Sequence, residues 1–181
     1  SDLPAGGAGG GGRGSPRLSR PGAPGGSLVW VTAEPRLDDN AALRAAAQAA
    51  GPLSLLFVEV PLPGSGGGGF HAASSGAYDP EESHRWPLGR AARAFLARSL
   101  ASLDSDLVAL RGGAPGAGLL CRRGDPAEAV VEVARALGVA RVLGSRRYEP
   151  AQREEDERVA RALAEEGIPC TLLPGFLLHE P

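Results

Sequence analysis

The fold is decided by one stretch, Leu28-Val29-Trp30-Val31-Thr32-Ala33-Glu34-Pro35-Arg36-Leu37-Asp38-Asp39-Asn40-Ala41-Ala42-Leu43. Its first four residues are apolar and short in extent, as a buried strand requires. Glu34-Pro35 is a turn, and Asp38-Asp39-Asn40 is a run of capping residues placed before an alanine-rich helix. A strand leading into a capped helix is the first half of a βαβ unit. The turn between them contains no glycine, so the G-x-G-x-x-G approach to a pyrophosphate is absent.

The same rhythm continues downstream. The first strand is expected over 28–33 and its helix over 40–50, with Leu43, Ala46, Ala47 and Ala50 on one face. Gly51-Pro52 stops that helix. Leu53 to Val60 is almost wholly apolar, as a parallel strand covered on both faces should be. Residues 64–84 are rich in Gly, Ser and Ala and read as a flexible loop.

A long helix is expected over 87–110, with a stripe of Ala92, Phe95, Leu96, Ser99, Leu100, Leu103, Leu107 and Leu110 as its core face. Arg90, Arg98 and Asp104 fall opposite. A third strand follows over 117–122. Asp125-Pro126-Ala127-Glu128 then signals a helix start, with Asp125 as cap, Pro126 at the first position and Glu128 closing a capping box. Val130, Val133, Ala134 and Leu137 form its apolar face, and Gly138 ends it.

The fourth strand is expected over 139–145. A helix over 150–166 carries charged pairs at i, i+4 spacing, Glu154 with Arg158 and Glu157 with Arg161, on a solvated face. The fifth strand is 168–173. Five strands alternating with helices predict an α/β fold: a three-layer, Rossmann-like open sheet of five parallel strands in the order 3-2-1-4-5, with helices on both faces. Cys121 and Cys170 then lie on opposite edges, too far apart for a disulfide, and read as buried, inert thiols.

Composition bounds the chemistry. The 181 residues carry a formal net charge of −2, which argues against a surface that coats nucleic acid. No apolar run reaches membrane-spanning length. There is no lysine, so a Walker phosphate loop and Schiff-base catalysis are both excluded. No G-x-S-x-G elbow occurs. His71, His84 and His179 are scattered, with no metal-ligand spacing among them. The absence of Met reads as the mark of a fragment of a longer chain.

Residues 1–27 are mostly Gly, Pro, Ala and Ser and read as a disordered leader, leaving 28–181 as the domain. The leader's Arg13, Arg17 and Arg20 against a single acid, Asp2, fit an organelle transit segment and a plain linker equally. A soluble intracellular setting, with chloroplast and nucleus both open, is as far as the sequence goes.

In a sheet of this order a ligand binds at the carboxyl ends of the strands where the order reverses, here between strands one and four. The segments 32–36 and 145–149 line that crevice. They supply Thr32, Glu34, Arg36, Ser145, Arg146, Arg147, Tyr148 and Glu149, with Gln152 just beyond. A basic and aromatic crevice suits an anionic ring compound held by stacking and ion pairing. Arg36 with Asp38 and Asp39 also suffices simply to tie the turn together.

Several of these motifs together resemble the photolyase/cryptochrome family. In the opening stretch the matching residues are Val29, Trp30, Arg36, Leu37, Asp39, Asn40, Ala42 and Leu43. Gly89 to Leu96 with Ser99, Leu100 and Leu103 is similar to the family's second long helix. Arg123-Gly124-Asp125-Pro126, Arg147-Tyr148-Glu149-Pro150 and Leu177-Leu178-His179-Glu180-Pro181 resemble its later turns and its exit segment. Each motif is weak alone, but five in order over 28–181 make a specific match.

The resemblance implies a photolyase-homology α/β domain at the N-terminus of a flavoprotein that serves blue-light reception or light-driven DNA repair. It implies, as the partner in cis, a C-terminal helical domain that holds FAD and meets DNA, so the fragment is not active alone. A DNA photolyase, a lyase, is one reading of the full-length protein. For this domain the family implies a folate or deazaflavin antenna chromophore in some members, with Thr32, Glu34, Arg36, Ser145, Arg147, Tyr148, Glu149 and Gln152 as its expected cofactor-binding residues. The chain departs from the family's pattern at Val31-Thr32, where Phe-Arg is usual, at Glu34-Pro35, where Asp-Leu is usual, and at Ala151-Gln152, where some folate-binding members carry Asn-Glu. Two other readings stand beside it. One is a stand-alone nucleotide-binding module of the universal-stress type, for which Leu143-Gly144-Ser145-Arg146 offers one glycine only. The other is a non-catalytic interaction domain.

Overall fold

The structure, a computed structural model, describes residues 25–32, 34–60, 89–114 and 116–174. Residues 1–24 of the expected leader, the loop 64–84, the three histidines, Trp86 and the exit segment lie outside the described residues, while Ser27, expected in the leader, is buried in the first strand.

Nine elements alternate along the chain. They are β1 Ser27–Val31, α1 Ala41–Gln48, β2 Leu53–Glu59, α2 Arg90–Leu110, β3 Leu120–Arg123, α3 Pro126–Leu137, β4 Arg141–Ser145, α4 Pro150–Glu165 and β5 Cys170–Leu173. The strands form one sheet in the order β3-β2-β1-β4-β5. Every pairing is parallel. This is the expected topology. β1 is the central strand because its five residues are all buried and both neighbours bond to it. Trp30 stands in register with Leu56 on one side and Gly144 on the other.

Period-two alternation along β1 sends side chains into two separate cores. Leu28 and Trp30 join Leu56, Val130, Val133, Val142, Val159 and Leu163 on the face covered by α3 and α4. Val29 and Val31 join Ala42, Ala46, Leu55, Leu103, Leu107 and Leu143 on the face covered by α1 and α2. Right-handed crossovers demand this division, since the chain winds outward through α1 and α2 and then returns through α3 and α4.

Gly144 faces the first of these cores. A Cβ there would lie 3.1 Å from Leu172 Cδ2 and 3.8 Å from Trp30 Cε3, so the missing side chain makes room for the indole. α3 starts and stops as its sequence dictates. Asp125 accepts from the N–H groups of Ala127 and Glu128, Pro126 opens the helix, and Gly138 closes it with a left-handed φ of 60°.

Four details differ from the sequence reading. In α1 the buried pair is Ala42 and Ala46, while Ala50 is exposed, because the helix ends at Gln48 and Ala49 turns extended. In α2 only Leu103 and Leu107 are buried, and Phe95 is 73% exposed. A 21-residue helix is about 31 Å long and β2 about 23 Å, so α2 overhangs the sheet it packs on.

The other two concern a cysteine and a helix surface. Cys121 is exposed, being on edge strand β3, and both cysteines are free thiols. Partial burial, then the Asp104 charge, raises the Cys121 thiol pKa, so exposure does not make it reactive. On α4, Arg158 bonds Asp125 at 2.9 Å across to α3, a contact that its expected pairing with Glu154 does not anticipate. No helix among the described residues is long and apolar enough to cross a membrane.

Candidate functional site

The strand order reverses between β1 and β4, and the segments that follow their carboxyl ends meet at this switch point. Its floor is local backbone chemistry. After β1 the chain must turn back over the sheet into α1, and Asn40 organises that turn. Its side-chain oxygen accepts from the Leu43 N–H at 2.9 Å and caps α1. Its amide nitrogen donates back to the carbonyls of Glu34 (3.3 Å) and Arg36 (3.4 Å). Asp39 takes a left-handed φ of 51°, which Asp tolerates better than most residues.

This latch turns Glu34 inward. Its carboxylate is 6% exposed and reaches across the switch point, where Oε2 accepts from the Ser145 hydroxyl at 3.4 Å. Two predicted residues from opposite sides of the crevice therefore meet. Arg36 lies at the rim, 47% exposed, with Nη2 at 3.7 Å from both Glu34 Oε1 and Asp39 Oδ2. Arg36 does tie the turn together, as the sequence allowed. Glu34 Oε1 and the Thr32 hydroxyl are buried and have no hydrogen-bond partner among the described residues.

The second wall is built by Arg147. Its guanidinium does not face outward. Nε donates to Asp156 Oδ1 at 2.8 Å, and Nη2 donates to Glu155 Oε1 at 3.0 Å and to Asp156 Oδ1. The Arg147 Cζ also lies 5.0 Å from the centre of the Trp30 ring, within cation–π range. All three charged side chains are at most 10% exposed. Burial pushes the Asp156 carboxyl above its ordinary range, and the Arg147 bonds only partly offset that rise. The same burial, with the Asp156 charge second, raises the Cys170 thiol to about 11. Arg147 is thus committed inside the fold, and the ion pairing expected of it toward a ligand has no support from this geometry.

The remaining predicted residues divide. Tyr148 is half-buried beside this wall, and Gln152 donates to exposed Glu149 at 2.9 Å on the first turn of α4. Thr32, Glu34 and Ser145 line the crevice, Arg36 its rim, and Arg147 its foundation.

Sequence reasoning missed both Asp156 and Glu155. The signal was present: Asp156, Val159 and Leu163 share i, i+3, i+7 spacing, and Glu155 is i−4 to Val159. The buried stripe of α4 therefore contains both acids. Among the described residues no group of three or more His, Cys, Asp or Glu side chains is placed to hold a metal ion.

A doubly wound parallel sheet whose order reverses between β1 and β4 defines an open α/β domain of the Rossmann-like class. Comparison with known proteins narrows this. The family model described as DNA photolyase matches residues 27–181. Cryptochrome-1 of Arabidopsis thaliana is 33% identical over 161 residues, covering 88% of this chain and 20% of that protein. The deoxyribodipyrimidine photo-lyase of Agrobacterium fabrum is 28% identical over 154 residues, 85% of this chain and 26% of that protein. The crystal structure of a bacterial class III photolyase from Agrobacterium tumefaciens superimposes with a TM-score of 0.66 at 27% identity, covering 91% of this chain and 29% of that one. The chain belongs to the photolyase/cryptochrome family and corresponds to its N-terminal α/β domain. It spans about a fifth to a quarter of the length of these two curated relatives.

Proposed function

We propose that this domain is the light-harvesting part of a cryptochrome- or photolyase-like flavoprotein, and that the β1/β4 crevice takes a planar antenna chromophore of the folate or deazaflavin kind. The observation that carries the reading is the meeting of Glu34 and Ser145 across the switch point, with two buried oxygens, Glu34 Oε1 and the Thr32 hydroxyl, that have no hydrogen-bond partner among the described residues. A crevice of this position and polarity suits a flat heterocycle whose ring edge is polar. Thr32, Glu34 and Ser145 would hold the ring edge, Tyr148 would flank it, and Arg36, Glu149 and Gln152 would border the opening. Arg147 contributes indirectly, by fixing the β4–α4 turn on Trp30.

When bound, such a chromophore absorbs near-ultraviolet or blue light and passes the excitation onward. In this reading FAD, and damaged DNA where the protein is a repair enzyme, belong to a C-terminal helical domain in cis. The 181 residues then neither hold FAD nor act on DNA by themselves. The glycine-free turn after β1 favours this over dinucleotide binding, because no backbone there can approach a pyrophosphate.

The test is uptake. The purified chain is incubated with methenyltetrahydrofolate or with a 5-deazaflavin, then desalted, and its absorbance is read above the aromatic band. Retention of a chromophore band by the wild type, and its loss in Ser145→Trp, is the expected result. A desalted protein with the aromatic band alone for both compounds sinks the antenna role and leaves an interaction domain.

A further inference from the structure

We infer that the N-terminal half of α2 is a docking surface for an acidic protein segment that presents an apolar side chain. The surface lies apart from the crevice and shares no residue with it.

Its placement follows from helix geometry. Leu103 and Leu107 are the buried residues of α2 and mark its sheet side. At about 100° per residue, Arg90, Ala94 and Arg98 fall on one ridge of the opposite side, at i, i+4 and i+8, with Ala91 and Phe95 on the ridge beside it. All five are exposed, Phe95 the most of any large apolar side chain among the described residues. An open depression of about 510 Å³ is lined by Arg90, Ala91, Arg93 and Ala94.

The charge on this surface is one-sided. Residues 89–103 contain Arg90, Arg93 and Arg98 and no Asp or Glu. The first acid after them, Asp104, accepts from the Leu119 N–H at 2.7 Å and so is turned toward β3. Local helix stability does not account for the pattern. A helix N-terminus favours acids, and α3 obeys with Asp125 and Glu128. α2 opens instead on Gly89, which makes no side-chain cap bond, and its first turn holds no acid. Sequences break local rules of this kind chiefly where a surface serves a function.

The occupant follows from the chemistry. Charge complementarity asks for carboxylates or phosphates. Three cations along about 12 Å of helix make too few phosphate contacts to hold a nucleic acid, and the net charge of −2 repels a polyanion at long range. Half of the surface is apolar, and the small side chains of Ala91 and Ala94 leave room beside the Phe95 ring for one aliphatic anchor. An acidic segment supplies both parts, its carboxylates on the arginines and its apolar side chain against Phe95.

The test uses the whole chain and a fluorescein-labelled peptide with three repeats of Glu-Glu-Leu-Leu, with binding read by fluorescence anisotropy. The wild type should bind it. Arg90→Glu/Arg98→Glu should weaken binding about tenfold and Phe95→Ser about fivefold, since each removes one part of the contact. Arg153→Glu/Arg161→Glu, a matched charge reversal on the exposed face of α4, should leave binding within about twofold. An equal loss in the α4 variant would put the attraction in net charge alone and overturn the inference. No binding by the wild type overturns it too. Tighter binding of a single-stranded oligothymidylate than of the peptide would make the partner a nucleic acid and also overturn it. A wild type that sediments as a dimer, made monomeric by Phe95→Ser, would assign the face to a second copy, with the same consequence. Each variant's folding is checked by a thermal melt. If one does not fold, amide shift mapping of the wild type with the peptide decides: shifts centred on 90–98 support the surface, and shifts elsewhere overturn it.

Discussion

Replacing Arg147 by Met keeps the length of the side chain over Trp30 and removes its charge, leaving Asp156 and Glu155 buried at about 5% exposure without the cation that bonds both. Breaking a buried ion pair from one side costs about 3–5 kcal/mol, because the remaining charge is stranded in a poor solvent. Against a domain stability of about 5–15 kcal/mol that is a large fraction. Urea unfolding followed by tryptophan emission measures it. With a slope of about 2 kcal/mol/M the midpoint should fall by about 1.5–2.5 M.

The charge explanation carries a second signature. Stranded carboxylates titrate above their ordinary range, so the variant should regain stability as pH falls through that range, the folded state then holding the extra protons. The triple variant Arg147→Met, Glu155→Gln, Asp156→Asn should recover most of the loss at neutral pH, since a neutral cluster strands no charge. A loss under about 1 kcal/mol in the single variant would refute the reasoning. So would a triple variant no more stable than the single, which would put the cost in the packing of Arg147 on Trp30.

Three further perturbations test other joints of the fold. Burial alone would raise the Asp125 carboxyl, but the Arg158 bond and the N–H groups of Glu128 and Ala127 outweigh it and lower its pKa, so its contribution is present above about pH 4 and fades as pH falls through the lowered value. Asp125→Ala should cost about 1 kcal/mol at neutral pH, while Asp125→Asn keeps the cap and flattens the acid limb of a stability–pH curve. Gly144→Ala places a methyl 3.1 Å from Leu172 Cδ2 and should destabilise by about 1 kcal/mol or more, with a shift in tryptophan emission; an unchanged melt and spectrum would contradict the packing described. Cys170, with its thiol at about 11, is thiolate in only about one molecule in a thousand at pH 8, so iodoacetamide should modify it far more slowly in folded than in urea-unfolded protein, as mass spectrometry would show.

The sheet order was legible because β1 and β2 are short apolar runs and α1 and α3 open on their own side-chain caps, Asn40 and Asp125, so topology followed from alternation and handedness. The position of the crevice came with it. What did not come through is the direction of charged side chains. Arg147, set in a turn, looks like a ligand-facing cation; its true partners, Glu155 and Asp156, lie on α4, and only the periodicity of Val159 and Leu163 betrays that they face inward. Glu34 illustrates the converse. Its place after β1 marked it as a crevice residue, yet its burial depends on the Asn40 latch, a side chain six positions away acting on the Glu34 carbonyl. The apolar stripe of α2 misled because periodicity reports which face is apolar and not how far the sheet beneath it extends; Phe95 lies past that reach.

Amide chemical-shift mapping of the isotope-labelled chain, titrated with a 5-deazaflavin, tests the central claim most directly. The account predicts perturbations concentrated at Thr32, Glu34 and Arg36 and at 145–152. Shifts centred instead on α2 around Phe95, or a spectrum that does not change at saturating probe, would contradict it.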